Sequence, residues 1–231
     1  MNNLIGVIGG LGPKATTYFM DLVINNTISE CDQDNVDLLV CQFSSIPDRT
    51  SFILGKSDNS PVPEMIKCAR ILEREGCKYI VIPCNTASYF FDEVQSRVNS
   101  KIINILEETS KFVLKDKPKK VGLMATDGTI KSGAYHKFIG NDLLFVPDDV
   151  HQEKVMNIIY NKVKKNKEVS LDEFEEILDY FRDNGCEKII LGCTELSVIY
   201  SYLKVSYSDV VDSLTVLARK AVELSGKSLK E

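Results

Sequence analysis

One stretch of this chain is written twice. Residues 76–88 (GCKYIVIPCNTAS) lie over residues 185–197 (GCEKIILGCTELS) without a gap, with Gly, Cys, Ile, Cys and Ser in register. The flanks agree in the same order: Ile5–Gly9 with Val121–Ala125, Asp37–Val40 with Asp142–Phe145, and Ile102–Asn104 with Val210–Asp212. Chance likeness between apolar strands explains one such match, but not four in one order with the small offset changes that unequal loops produce. The chain should therefore fold as two similar halves, joined near residues 105–119, where Lys111–Lys120 reads as a charged, proline-containing linker.

Short β-branched runs alternate with longer amphipathic stretches. Strands are expected at Leu4–Ile8, Asp37–Cys41, Tyr79–Ile82, Ile102–Ile105, Lys120–Met124, Leu143–Val146, Lys188–Leu191 and Tyr207–Val211. Helices are expected around 14–30, 62–75, 87–98, 130–139, 151–165, 171–184 and 212–225. Strands separated by ten-odd helical residues mark βαβ units and parallel sheets, so the fold class is α/β. The expected division is residues 1–105 with 212–231 as one α/β domain and 106–211 as the other, the last helix packing back on the first half. The active site belongs in the cleft between them.

Composition narrows the function classes. With 28 basic and 33 acidic residues the net charge is −5, which offers no electrostatic footprint for nucleic acid or an anionic membrane. No apolar run reaches the ~20 residues of a membrane span, and Met1-Asn2-Asn3-Leu4 has no basic leader region. The seven cysteines contain no C-x-x-C, and only His136 and His151 could assist them as ligands. We therefore expect a cytoplasmic protein with reduced thiols, no metal and no disulfide framework.

The repeat carries two cysteine pairs, and strand direction sorts them. In a parallel sheet ligands bind beyond the carboxyl ends of the strands. Cys77 and Cys186 precede their strands and read as buried small hydrophobes. Cys84 and Cys193 follow theirs, each leading into small polar residues (Asn85-Thr86 and Thr194-Glu195) that open a helix. A helix N-terminus favours the thiolate, so both thiols are expected to have lowered pKa values. Asn85, Thr86 and Thr194 can cap the helices or donate to a bound anion. Two opposed thiols can move a proton on both faces of one carbon, one acting as base and the other as acid. That chemistry suits racemisation at Cα, with the carbanion stabilised by cations and hydrogen bonds at its carboxylate.

Five motifs in order now resemble the aspartate/glutamate racemase superfamily, most nearly its cofactor-independent aspartate racemases. They are GGLGPKAT (9–16), IPDRT (46–50), PCNTA (83–87), TDGTIKSG (126–133) and GCTE (192–195). The resemblance implies two α/β domains, a homodimer, an acidic amino acid (aspartate, with glutamate or a broader range as alternatives), and neither pyridoxal phosphate nor another cofactor. It puts the paired catalytic cysteines at Cys84 and Cys193. It implies that Arg49 and Lys164 bind the two carboxylates of the substrate, which suits a planar guanidinium and a point-charge ammonium. Gly10, Leu11, Thr126 and Thr129, with Asn85, Thr86, Thr194 and Glu195, complete the expected substrate-binding set. Asp48 and Glu195 can also orient Arg49 or a thiol. Lys162 is the nearest competitor of Lys164, in a basic run that could simply face solvent. Leu11 stands where the aspartate racemases are expected to carry Met, a volume-conserving change. Glutamate racemases are expected to have Asp beside the first glycine loop and His after the second Cys-Thr; Gly9-Gly10 and Glu195 stand there, which favours the aspartate branch.

Three other readings compete. Gly10-Leu11-Gly12-Pro13-Lys14-Ala15 imitates a dinucleotide fingerprint, but Asp37 begins its strand rather than ending it, so no ribose-binding acid follows. An amino-acid-binding module would use Arg49 and Lys164 without needing thiols. A redox sensor would need a reversible Cys84–Cys193 disulfide.

Overall fold

The computed structural model describes residues 3–230; Met1, Asn2 and Glu231, the ends of the first expected domain, lie outside it. Its strands are β1 (Ile5–Gly9), β2 (Leu38–Gln42), β3 (Tyr79–Val81), β4 (Lys101–Ile103), β5 (Val121–Ala125), β6 (Leu144–Phe145), β7 (Lys188–Gly192) and β8 (Val210–Asp212). They form two four-stranded sheets, ordered β2-β1-β3-β4 and β6-β5-β7-β8, parallel throughout. The repeat is thus a repeat of topology. It extends to register: Ile5 pairs with Tyr79 as Val121 pairs with Lys188, and Ile80 with Ile102 as Ile189 with Val210.

One flank is slipped. Aligning Leu38 with Leu143 would set Val121 opposite Leu143, but Val121 pairs with Leu144 while Ile5 pairs with Leu38. Side-chain direction explains it. Leu38 and Leu144 both face the central core, while Leu39 and Phe145 face the outer layers, and a one-residue shift would exchange these faces.

The helices are α1 (Pro13–Asn26), α2 (Arg49–Ile53), α3 (Val62–Arg74), α4 (Phe91–Gln95), α5 (Ile105–Leu114), α6 (Asp127–Lys131), α7 (His136–Ile139), α8 (Asp149–Met156), α9 (Leu171–Asp183), α10 (Thr194–Leu203) and α11 (Ser213–Ser225). Helices α3 and α9 occupy matching places before β3 and β7. Each buries one stripe (Val62, Met65, Cys68, Ala69 and Leu72; Phe174, Ile177, Leu178 and Phe181). Both give way to a glycine at positive φ, Gly76 at 89° and Gly185 at 79°, which lets the chain turn into the next strand.

Three expectations need correction. The supposed joint at 105–119 begins with helix α5, capped by Asn104, whose side chain accepts from Leu106 N–H. Its buried stripe, Ile105, Leu106, Thr109, Ser110 and Val113, is interleaved with charge, so only Lys115–Lys120 remains as connection. The helix expected at 130–139 is broken into α6 and α7 at Gly133, which has positive φ. The helix expected at 87–98 is a 3₁₀ turn, Thr86–Phe90, followed by the short α4.

Helix α11 enters a central core shared by both sheets. There Leu214, Leu217, Ala218, Ala221 and Val222 lie with Ile5 and Val7 of the first sheet and Val121 and Ile190 of the second. It also packs on α1 and α5. Among the described residues no helix is long and apolar enough to cross a membrane.

Candidate active site

The carboxyl ends of β1, β3, β5 and β7 converge on one small pocket. Its walls include Leu11, Asp48, Arg49, Thr50 and Cys84 from the first half, and Thr126, Tyr160, Lys164, Cys193 and Glu195 from the second. Its free volume is about 10 Å³, room for roughly one water. Asp48, Arg49, Lys164 and Glu195 also line a larger outer chamber of about 610 Å³, with Gly10, Ser44, Ile46 and the first turn of α1.

The loop after β1 depends on Gly10. Its φ is +90°, and a Cβ there would come within 2.5 Å of the Phe43 backbone. The turn delivers the Leu11 carbonyl to Arg49, whose Nη2 donates to it at 2.6 Å while Nη1 donates to the carbonyls of Pro47 (2.9 Å) and Ile46 (3.3 Å). Arg49 is only 8% exposed, its Nε has no hydrogen-bond partner, and no carboxylate pairs with it among the described residues. A buried guanidinium left in this condition beside a cavity is ready for an anion.

Lys164 arrives on irregular backbone. The helix expected over 151–165 holds as α8 to Met156, widens into a π-helical turn at Asn157–Lys162, and tightens into 3₁₀ at Val163–Lys165. Such distortion is frequent where a side chain must be re-aimed at a site. Lys164 Nζ lies 3.5 Å from Asp48 Oδ2, 4.0 Å from Glu195 Oε1 and 3.8 Å from the centre of the Tyr160 ring. Burial lowers its pKa, but Glu195, Tyr160, Cys193 and Asp48 outweigh that and hold it above the usual lysine value. Its competitor Lys162 is paired with Glu173, away from the pocket.

Cys84 and Cys193 are almost equally buried, 6% and 5% exposed. Cys193 is the N-cap of α10, and its Sγ donates to Glu195 Oε2 at 3.1 Å. The expected lowering of its pKa is overturned. Burial, reinforced by the Glu195 carboxylate, pushes the thiol well above its ordinary value despite Lys164. The helix end is already facing an acid in its own first turn, so its dipole has little left for the sulfur. Cys84 precedes a five-residue 3₁₀ turn, Thr86–Phe90, rather than a regular helix.

A cluster of hydroxyls bridges the halves. Thr86 Oγ1 lies 3.0 Å from Thr126 Oγ1 and 2.9 Å from Thr129 Oγ1, and Thr50 Oγ1 donates to Thr126 Oγ1 at 3.4 Å. The Asn85 amide donates to Ser213 Oγ at 2.9 Å and accepts from the Tyr135 hydroxyl at 2.7 Å. Thr194 Oγ1 donates to Glu195 Oε2 at 3.4 Å. All of the residues expected from sequence line one chamber or the other, except Thr129, which is joined to the pocket through Thr86 and Thr126. Tyr160, Thr50, Tyr135 and Ser213 were not anticipated. Tyr160 could have been found from its place four residues before Lys164, one helical turn away, and Thr50 from the motif that contains Arg49; Ser213 and Tyr135 carry no such signal.

The family model described as Asp/Glu/hydantoin racemase matches residues 8–221. The chain belongs to that family. It is thus an isomerase of the amino-acid racemase kind. It is 27% identical to the broad specificity amino-acid racemase RacX of Bacillus subtilis, over 95% of this chain and 96% of that one. Among solved structures, the aspartate racemase of Picrophilus torridus superimposes with a TM-score of 0.86 at 31% identity, covering 99% of this chain and 96% of that one. An aspartate racemase homologue from Pyrococcus horikoshii gives 0.76 at 27% identity, with 98% and 100% covered.

Proposed function

We propose that this racemase interconverts L- and D-aspartate without a cofactor, using Cys84 and Cys193 as the two proton-transfer groups. The observation that carries the reading is the pocket itself: two near-equally buried thiols on matching strand-to-loop elbows open onto one space that also receives Arg49 and Lys164. One thiolate takes the α-proton, and the opposing thiol returns a proton to the other face of Cα. The roles exchange with the hand of the substrate. Arg49 has a free Nε for one substrate carboxylate, and Lys164 offers an ammonium for the other. The two flanking cations stabilise negative charge as it develops next to Cα. The likeness to the Picrophilus torridus enzyme supports aspartate as substrate. The homodimer and the cytoplasmic location expected from sequence belong to the same proposal.

A second reading, a wide range of amino acids, is favoured by the volume of the outer chamber and by the likeness to RacX. Chiral chromatography of the purified chain with single L-amino acids and no added cofactor tests both. D-aspartate as the main product supports the first reading, and comparable turnover of apolar and acidic substrates supports the second. No D-product from any of them overturns racemisation of these substrates.

A further inference from the structure

The pseudo-twofold is broken two residues after each cysteine, where the first half has Thr86 and the second has Glu195. Thr86 spends its hydroxyl on Thr126 and Thr129. Glu195 instead turns its carboxylate to the thiol: Oε2 accepts from Cys193 Sγ at 3.1 Å and from Thr194 Oγ1 at 3.4 Å. Oε1 lies 4.0 Å from Lys164 Nζ and rests against Gly12, where a Cβ would come within 3.0 Å of it. The carboxylate is held on several sides and is almost wholly buried. Among the described residues Cys84 Sγ has no such partner.

We propose that Glu195 is a positioning residue that keeps Cys193 protonated in the resting enzyme, so that Cys193 begins as the proton donor and Cys84 as the base. This rests on the two-thiol reading above. In the first turnover the Cys84 thiolate breaks the Cα–H bond on one face and becomes a thiol. The Cys193 S–H proton forms the new Cα–H bond on the other face, leaving Cys193 as thiolate. That form sets two negative charges side by side. It returns to the resting state by taking a proton from solvent while Cys84 releases its own to solvent. Alternatively, it removes the α-proton of a substrate molecule of the opposite hand, whose other face then receives the Cys84 proton. The remaining ionisable groups facing this pair are Lys164, whose charge opposes the repulsion, Arg49 and Asp48 across the pocket, and the phenols of Tyr160 and Tyr135. Burial raises both phenol pKa values, so they stay neutral.

Site-resolved alkylation tests the assignment without substrate. Wild-type protein and Glu195→Gln are treated with iodoacetamide across a pH series, and the rate at each cysteine is read by peptide mass spectrometry. Because the two thiols are equally covered, their rates report thiolate content. In the wild type at pH 8, Cys84 should react about tenfold or more faster than Cys193. Glu195→Gln should raise the Cys193 rate about tenfold or more and shift its pH midpoint downward, leaving Cys84 unchanged. Equal wild-type rates, or an unchanged Cys193 rate in a folded Glu195→Gln protein, would overturn the proposal. If that variant does not fold, the wild-type profile decides: a Cys193 midpoint above that of Cys84 supports the proposal and the reverse order overturns it. Failure of racemisation itself would appear only in the turnover assay.

Discussion

The repeat carries two cysteine pairs, and duplication has treated them differently. Cys77 and Cys186, ahead of β3 and β7, are both buried, and burial pushes each thiol up to about 11. Cys84 and Cys193, beyond the other ends of the same strands, are just as well matched in place and burial. Their neighbours are not: a threonine cluster stands near one, a carboxylate and an ammonium near the other. Where packing alone is required, the copies have kept one environment. At the cleft they have kept the thiols and divided the charge. A reaction that is symmetric in its substrates can thus run on a site that is not symmetric in its acids and bases.

The largest effect should come from Cys84→Ser or Cys193→Ser. Each should lower racemisation by about 10²–10⁴-fold, the usual worth of a positioned acid or base, as read by chiral chromatography. If only one of them matters, the comparison between the elbows fails. Arg49→Lys should follow. It loses the planar fork and the free Nε, and the cost of a hydrogen bond to a charged group, about 1.5–3 kcal/mol, predicts a 10–100-fold rise in KM with a smaller change in kcat. An unchanged KM would mean that Arg49 only braces the Leu11 and Pro47 carbonyls.

The structural pair and its buried neighbours should appear in stability. In the unfolded chain these thiols ionise near about 8.5. In the fold Cys77 and Cys186 ionise near about 11 and Cys68 near about 12. The folded state therefore holds more protons in that interval, and stability present below the unfolded value is lost as pH rises toward 11–12. Thermal melts should show a steady fall above about pH 9; a flat profile to pH 11 would contradict the burial assigned to these thiols. Smallest of all, Cys77→Ala or Cys186→Ala should cost about 1 kcal/mol in denaturant unfolding and leave turnover unchanged. A large loss of activity from either would erase the distinction between the pairs.

Much of this was readable from the chain. The strands stand out because fully buried parallel strands are short, β-branched and repeated, and Cys84, Cys193, Arg49 and Lys164 come together as strand direction and motif order imply. Helix α5 was hidden because Glu107, Glu108 and Lys111 interrupt its buried stripe. The slip at β6 was hidden because Leu143 and Leu144 are chemically alike and both lie against the central core; only the strand pairing of Leu144, with Phe145 facing the outer layer, fixes the register. The π-helical turn leading to Lys164 leaves no periodicity to detect. The direction of the Cys193 shift could not be had from a helix N-terminus alone. It depends first on the burial of the thiol and then on Glu195 folding back onto the sulfur, which position in the sequence permits but does not require.

The most direct test of the two-thiol account is racemisation of L-aspartate in D₂O, stopped early, with the enantiomers separated and their Cα isotope content measured. The account predicts D-aspartate that carries deuterium at Cα from the first turnovers, while the remaining L-aspartate keeps its protium, because the proton removed and the proton added belong to different thiols. D-aspartate retaining the protium of its substrate would mean that one group carries the hydrogen across both faces, and would contradict it.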